Sequence, residues 1–171
     1  IANLKNQKKE QQAIYDACSN GLHIITGGPG TGKTTILKAI LKMLKMLYGD
    51  DAIISLCAPT GRASKRMSYM ASNYACTIHR LLKWDLHSNT FVYNANNKLH
   101  TDVIIVDEFS MVDTLLFEAL LTGTIGVSQI ILIGDDGQLP SVGAGNLLHD
   151  LLKIDRISSS CLSYIYRQTN G

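Results

Sequence analysis

One stretch of the sequence decides its fold: Gly27-Gly28-Pro29-Gly30-Thr31-Gly32-Lys33-Thr34. This stretch satisfies the pattern G-x-x-x-x-G-K-[ST]. The apolar run at residues 22–26 before it is typical of a buried strand, and residues 34–47 after it have the spacing of an amphipathic helix. Glycines let successive backbone N–H groups turn toward a phosphate without steric clash, and the helix N-terminus adds the positive end of its dipole. The stretch therefore predicts a phosphate-binding loop between a strand and a helix.

The loop also predicts a ligand. We expect Lys33 to reach the β- and γ-phosphates of a nucleotide and the Thr34 hydroxyl to bind Mg²⁺, so the predicted cofactors are ATP and Mg²⁺. The other candidate nucleotide-binding residues are Gly27, Gly28, Pro29, Gly30, Thr31, Gly32 and Thr35.

A second apolar run, at residues 103–106, ends in the two carboxylates Asp107 and Glu108. A buried strand of this kind delivers acids to the edge of an α/β sheet where ligands bind. We expect Asp107 to hold Mg²⁺ and Glu108 to polarise the attacking water. Together with the phosphate loop, this pair indicates a P-loop nucleotide hydrolase.

Strand and helix patterns alternate along the whole chain. Strands are predicted at residues 22–26, 52–57, 103–106, 129–133 and 161–164, and helices at 13–18, 34–47, 61–69, 113–121 and 146–153. This alternation predicts an α/β fold with a parallel sheet and helices on both faces. We expect one domain over residues 1–171, with an Asn-rich insertion at residues 84–100 that contains a hairpin through residues 91–93.

The composition is that of an ordinary globular domain, with 46% hydrophobic and 18% charged residues in a chain of 171. It excludes collagen-like and disordered chains, and a net charge of +2 neither demands nor excludes a polyanionic partner. Four dispersed cysteines and the lack of an apolar run near ~20 residues favour a cytoplasmic protein without a membrane span. Since the chain starts without Met, we expect it to be a piece of a longer protein.

Five further segments resemble the motifs of superfamily 1 helicases. Residues 58–66 (APTGRASKR) resemble motif Ia, and residues 77–82 (TIHRLL) resemble the T-x-H-x-L segment that follows it. Residues 107–113 (DEFSMVD) are similar to the D-E-x-S-M form of motif II, and residues 134–142 (GDDGQLPSV) to motif III. Residues 166–168 (YRQ) resemble the start of motif IV. The combination resembles the RecD/TraA family, whose members include the alpha subunit of exodeoxyribonuclease V.

The resemblance implies a function beyond ATP hydrolysis. It implies the first, N-terminal RecA-like motor domain of an ATP-dependent DNA helicase that translocates 5′ to 3′ on single-stranded DNA, in recombination, repair or conjugation. The implied partners are single-stranded DNA, a second RecA-like domain of the same polypeptide, and nuclease or helicase subunits in a complex.

The resemblance also implies roles for particular residues. Gln138 would report the nucleotide state to DNA, and Arg167 would contact the γ-phosphate. The family's adenine-binding glutamine falls on Glu10 here, which leaves Gln11 and Gln12 as candidates. The implied DNA contacts are Pro59, Thr60, Gly61, Arg62, Thr77 and His79.

Alternatives remain open at this point. Residues 59–66 also fit a solvated basic helix face, His79 a buried structural histidine, and Gln138 a turn residue. Trp84 and Tyr93 could stack on bases or belong to a core. For the whole chain, the alternatives are a P-loop ATPase of another class, such as a clamp-loader-like or signalling switch protein, and a binding module with little catalysis.

Overall fold

The structure, a computed structural model, describes residues 2–138 and 146–163. Within them the strands are β1 (Leu22–Gly27), β2 (Ile54–Ala58), β3 (Ala75–Thr77), β4 (Trp84–Asp85), β5 (Thr90–Phe91), β6 (Val103–Val106), β7 (Gln129–Gly134) and β8 (Ser158–Leu162). The helices are α1 (Ala2–Ser19), α2 (Lys33–Tyr48), α3 (Gly61–Ala71), α4 (Ile78–Leu81), α5 (Thr114–Gly123) and α6 (Leu147–Leu152), with a 3-10 turn at Phe109–Met111. None of the helices in these residues has the length and hydropathy that crossing a bilayer requires.

Six strands form one sheet in the order β3-β2-β6-β7-β1-β8. Every neighbouring pair is parallel. Their carboxyl ends therefore share one edge, and the loops after β1, β2, β6 and β7 meet there, as expected where an open α/β sheet binds its ligands. The predicted α/β, RecA-like P-loop fold is confirmed.

Helices cover both faces of the sheet because successive strand residues point to opposite sides. On one face Ile25, Ile105 and Ile131 pack under α1, α2 and α3, and α2 contributes its buried stripe: Ile36, Leu37, Ile40, Leu41 and Leu44. On the other face Ile24, Ile104 and Leu132 pack against the 3-10 turn, α4, α5 and α6. Each fully buried aliphatic side chain contributes about 1.5–3 kcal/mol to folding stability by leaving water. The two packed faces therefore hold the strands, and the loops at their carboxyl ends, in fixed positions.

Two predicted elements, α1 and β8, differ by more than two residues at one end, and the buried stripe of α2 is shorter than predicted. Helix α1 covers Ala2–Ser19, whereas the prediction was residues 13–18. Residues 5–12 are good helix formers, which explains why the helix is longer. They have no apolar periodicity, which explains why the prediction missed them. Leu47, at the end of the predicted apolar stripe of α2, is 59% exposed because only the earlier turns lie over the sheet. The last strand is Ser158–Leu162, so it precedes the predicted residues 161–164, of which Tyr164 lies outside the described residues.

Strand β3 was not predicted. Its three residues are too few for a periodic pattern, and only parallel pairing with β2 makes them a strand. The hairpin within the predicted insertion is found, with β4 and β5 paired antiparallel. The backbone N–H groups of Val92 and Tyr93 continue its ladder by donating to the carbonyls of Lys83 and Leu82. The insertion bounds and the single-domain assignment remain predictions.

Candidate nucleotide-binding site and β2–β3 face

The phosphate loop, residues 27–34, joins β1 to α2 at the carboxyl edge of the sheet. Gly30 and Gly32 have φ values of 75° and 86°, in the left-handed region that glycine adopts without strain. At Gly27 a Cβ atom would lie 2.6 Å from Thr31 Oγ1 and 2.9 Å from the Leu162 carbonyl oxygen. The glycine pattern therefore follows from backbone conformation and close packing at these positions.

The side chains of the loop are held by the loop itself. Lys33 Nζ donates to the carbonyl oxygens of Gly27 and Gly28, the latter at 2.8 Å. The buried Thr31 hydroxyl donates to the same Gly28 carbonyl at 2.8 Å. These bonds place the ammonium group over the loop, beside the N-terminus of α2, where an anion is favoured.

A cleft of about 430 Å³ opens above the loop, and we call it the phosphate cleft. It is lined by Pro29, Gly30, Thr31, Gly32, Lys33, Thr34, Thr35, Leu37, Arg66, Met70, Asp107, Glu108, Ile133 and Gln138. The structure thus brings together most of the predicted nucleotide-site residues from three separate segments. Gly27 and Gly28 take part through their carbonyl groups, which accept from Lys33. Sequence reasoning did not place Arg66 and Met70 of α3 in this cleft.

Asp107 and Glu108 follow β6 directly and form one side of the cleft. Burial raises the pKa of Asp107 above its ordinary value, with the Glu108 carboxylate adding to this effect. The Glu108 backbone N–H donates to Asp107 Oδ1 at 2.9 Å and opposes that rise. Glu108 has a φ of 54°, an uncommon conformation for a side-chain-bearing residue that turns the chain sharply after the strand. Such strain is typical of functional sites.

Gln138 lies where the loop after β7 reaches the cleft. Its Oε1 accepts a long hydrogen bond of 3.5 Å from the Ser110 hydroxyl, so it touches the segment that follows Glu108. Its backbone N–H donates to the carbonyl of the buried Asp135. Residues 139–142 of the motif III resemblance lie outside the described residues.

Two candidate residues, Gln11 and Gln12, are not brought to the cleft, and a third cannot be placed because it lies outside the described residues. The Gln12 side chain donates to Asp16 Oδ1 at 2.8 Å, within α1. Gln11 lines a different groove, between α1 and α2, beside Tyr15 and Met43. Arg167 lies outside the described residues. The adenine-binding and motif IV assignments therefore stay predictions.

The loops after β2 and β3 carry the predicted DNA contacts, and we call residues 59–62 with residues 77–79 the β2–β3 face. Thr60 is the N-cap of α3, and its Oγ1 accepts from the Ala63 N–H at 3.2 Å. Thr77 is the N-cap of α4 and accepts from the Arg80 N–H at 3.1 Å. Two helix N-termini with their caps thus point to the same edge of the sheet, which favours anions there.

His79 lies exposed on α4 and is not a core histidine. Its ring centroid is 5.6 Å from that of Phe91 and 6.1 Å from that of Trp84, and those two rings meet edge to face at 4.7 Å. The half-buried Trp84 therefore packs inside this cluster at the base of the hairpin. The Lys83 ammonium lies over the Tyr93 ring, 5.0 Å from the ring centroid.

A groove of about 740 Å³ runs from this face between α3 and β3. Its rim carries Lys65, the exposed rings of Tyr69 and Tyr74, and Arg80, whose guanidinium lies 6.0 Å from the Tyr74 centroid. Sequence reasoning missed Tyr74 and Arg80, because no pattern marks residues that meet only once β3 has joined the sheet.

The donors of the phosphate cleft fit a nucleoside triphosphate with Mg²⁺. Backbone N–H groups at the start of α2 and the Lys33 ammonium suit phosphate oxygens. The Thr34 hydroxyl and the Asp107 carboxylate are the oxygen ligands that Mg²⁺ takes from protein while phosphates and water supply the rest. The fit rests on the chemistry of these groups and on the glycine conformations described above.

Comparisons with known proteins show which family and which sequences the chain resembles. The sequence model of a family described as an AAA domain matches residues 10–144. The RecBCD enzyme subunit RecD of Haemophilus influenzae is 35% identical over 170 residues, covering 86% of this chain and 27% of that protein. The ATP-dependent RecD2 DNA helicase of Deinococcus radiodurans is 35% identical over 165 residues, covering 96% of this chain and 22% of that protein. This chain therefore spans about a quarter of the length of these two relatives.

Among solved structures, the Pif1 helicase from Candida albicans aligns with a TM-score of 0.66 at 22% identity, over 95% of this chain and 41% of that chain. At this identity the likeness concerns the fold alone. The matches give no support to a clamp-loader-like or switch protein. Its sequence is similar to those of RecD and RecD2 over 86% and 96% of its length, and the chain belongs to the family described as an AAA domain.

Proposed function

We propose that this domain binds ATP with Mg²⁺ and couples hydrolysis to 5′ to 3′ translocation along single-stranded DNA, in recombination, repair or conjugation. The observation that carries the proposal is the position of the phosphate cleft beside the β2–β3 face at one edge of the sheet. Helix α3 contributes to both: its N-cap belongs to the face, and Arg66 lines the cleft. Such continuity suits a motor in which nucleotide and DNA must affect one another.

Each cleft residue has a role that its chemistry supports. Lys33 and the α2 N–H groups hold the β- and γ-phosphates, while Thr34 and Asp107 hold Mg²⁺. Mg²⁺, when bound, neutralises negative charge on the phosphates. Glu108 orients and polarises water as the general base. Gln138, through its contact with Ser110, links the β7 loop to the segment that carries Glu108.

The β2–β3 face suits the DNA backbone rather than the bases. The Thr60 and Thr77 hydroxyls, the backbone N–H groups at the start of α3 and the Arg62 guanidinium all suit phosphate and sugar. His79 adds an exposed ring on which a base can stack. Binding should therefore be independent of sequence and should weaken steeply with salt.

The proposed partners follow from the fraction of the relatives that the chain spans. A second RecA-like domain of the same polypeptide would close the cleft from the opposite side and supply an arginine. The name of the Haemophilus relative places that protein in a multisubunit enzyme, and we propose that nuclease or helicase subunits are partners here too. The proposed location is the cytoplasm.

Steady-state ATPase assays test this proposal, with and without single-stranded DNA, on the 171-residue chain and on a polypeptide that adds the second motor domain. An arginine supplied across a cleft is worth about 10³–10⁵ in rate, so the chain alone should turn over slower by that order and should unwind nothing. The Glu108→Gln variant gives the blank. Strong DNA-stimulated turnover by the chain alone would show that one domain completes the site and would contradict the two-domain proposal.

A further inference from the structure

One ion pair connects the β2–β3 face to the phosphate cleft. Arg66 Nη1 donates to Glu108 Oε1 at 3.4 Å, between residues that are 42 positions apart in the chain. Arg66 belongs to α3, whose first residue, Gly61, follows the Thr60 cap. The other ion pair in the described residues, Lys153 with Asp150, is local and lies by α6. The same helix therefore carries predicted DNA contacts at its start and a partner of the proposed general base one and a half turns later.

The contact occupies a carboxylate oxygen of Glu108 but leaves most N–H donors of Arg66 unused. The Arg66 side chain is 67% exposed and that of Glu108 only 23%. A guanidinium has five N–H donors in a planar fork, and this single contact at 3.4 Å uses one of them. Arg66 can therefore donate to a better acceptor that arrives from solvent. While Glu108 accepts from Arg66, one of its carboxylate oxygens is occupied and is not available to water.

We propose that Arg66 is a positioning residue that holds Glu108 until a phosphate of single-stranded DNA at the β2–β3 face draws the guanidinium away. This inference rests on the proposed function of Glu108 and of the face. A phosphate group offers a bidentate, charge-assisted contact to arginine, which competes well against one long hydrogen bond to a carboxylate. Departure of Arg66 leaves the Glu108 carboxylate free to act on water, so DNA binding promotes hydrolysis.

Competition for one guanidinium implies a reciprocal effect that needs no hydrolysis to observe. If DNA displaces Glu108 from Arg66, removal of the Glu108 charge must strengthen DNA binding by the same free energy. Exposed ion pairs have small coupling energies, so the expected change is about two- to fivefold in affinity. The effect must vanish when Arg66 is absent, which separates it from a general change of charge.

The test is a double-mutant cycle on the affinity of the 171-residue chain for a fluorescent oligothymidine strand, measured by anisotropy without nucleotide. We expect Glu108→Gln to tighten binding about two- to fivefold and Arg66→Gln to weaken it. The double variant should bind like Arg66→Gln alone. Arg66→Lys, which keeps the charge without the planar fork, should retain part of the coupling. The charge-matched control is Glu118→Gln, at an exposed position on α5 that belongs to neither the cleft nor the β2–β3 face, which should leave affinity unchanged.

Each outcome supports or overturns the proposal. Additive effects in the cycle, or an equal gain from Glu118→Gln, would show that DNA and Glu108 do not compete for Arg66, while the proposed function would stand. If the wild-type chain binds single-stranded DNA with normal salt dependence and Glu108→Gln changes nothing, the inference alone fails. If the wild-type chain does not bind the strand at all, the DNA part of the proposed function fails and the inference fails with it.

Discussion

The phosphate loop and the β2–β3 face lie at the same edge of the sheet, but their functional groups are held in different ways. In the loop, Lys33 and Thr31 are fixed by hydrogen bonds to the backbone carbonyls of Gly27 and Gly28. On the face, Thr60 and Thr77 use their hydroxyls as helix caps, and Arg62 and His79 are exposed. A preorganised site concentrates its affinity in few groups, whereas an open face spreads it over many weak contacts.

The difference has a mechanistic consequence. A nucleotide must be held in one geometry for in-line attack, which requires fixed donors. A strand along which the protein moves must be released at every step, which requires contacts that are individually weak. The three predictions below test this contrast, from the largest expected effect to the smallest.

The largest effect is expected at the phosphate loop, from Lys33→Ala. Loss of one charge-assisted contact to phosphate costs about 1.5–3 kcal/mol, which is a ten- to hundredfold loss of ATP affinity. Calorimetric titration with ATP and Mg²⁺ measures it. The matched control is Lys38→Ala, at an exposed position on the same helix, which should leave affinity unchanged. Unchanged affinity in Lys33→Ala, with the fold intact, would contradict the assignment of the loop.

Features of the fold and of the site could be predicted from the sequence where they are formed by residues that are contiguous in the chain. The phosphate loop was predicted because its strand, glycines, lysine and helix are contiguous and because backbone conformation alone demands that pattern. Asp107 and Glu108 were predicted because a strand end determines where they lie. Both predictions use only the nearest neighbours in the chain.

Features that depend on packing between distant segments were not predicted. Arg66 reaches the cleft only because α3 packs across β2 next to β6, and no local pattern encodes that arrangement. Strand β3 needs β2 to exist, so the groove with Tyr74 and Arg80 was missed with it. Helix α1 was predicted too short, since its first half has no apolar face to reveal its period.

A smaller effect is expected on the β2–β3 face, from Thr60→Ala. The hydroxyl caps α3, so its loss should cost about 1 kcal/mol of folding stability. If the hydroxyl also binds a DNA phosphate, affinity for single-stranded DNA should fall by about two- to tenfold, the value of one neutral hydrogen bond. Denaturant unfolding and anisotropy at several salt concentrations measure the two effects.

Thr60→Ser is the control for that prediction, because it keeps the hydroxyl and should preserve both properties. Stability loss with unchanged DNA affinity would assign Thr60 to the cap alone. Loss of DNA affinity as large as the effect of Lys33→Ala on ATP would contradict the contrast between a concentrated site and a distributed face.

The smallest effect is expected from Asp107→Asn, which tests whether a buried carboxylate in the cleft lowers the folding stability of the domain. Burial raises the pKa of Asp107 above 3.8, so the folded chain keeps this proton to a higher pH than the unfolded chain does. Stability must therefore fall as pH rises from 3.8 through the folded-state pKa. Asparagine carries no charge and keeps the Oδ1 that accepts from the Glu108 N–H. We expect the variant to be more stable at neutral pH by up to about 1 kcal/mol, and the gain to disappear below pH 3.8.

The same substitution should reverse its sign once ligand is added. Mg²⁺ and ATP bind the folded state alone and stabilise it by mass action, and the variant lacks the carboxylate that we assign to Mg²⁺. Urea unfolding of both proteins at neutral and acidic pH, each with and without Mg²⁺ and ATP, measures all of these differences. The exposed Asp136→Asn serves as the control for loss of one charge. A variant that is less stable than wild type at neutral pH without ligand would show that the Asp107 carboxylate stabilises the fold. It would contradict the expectation that this functional carboxylate lowers the stability of the domain.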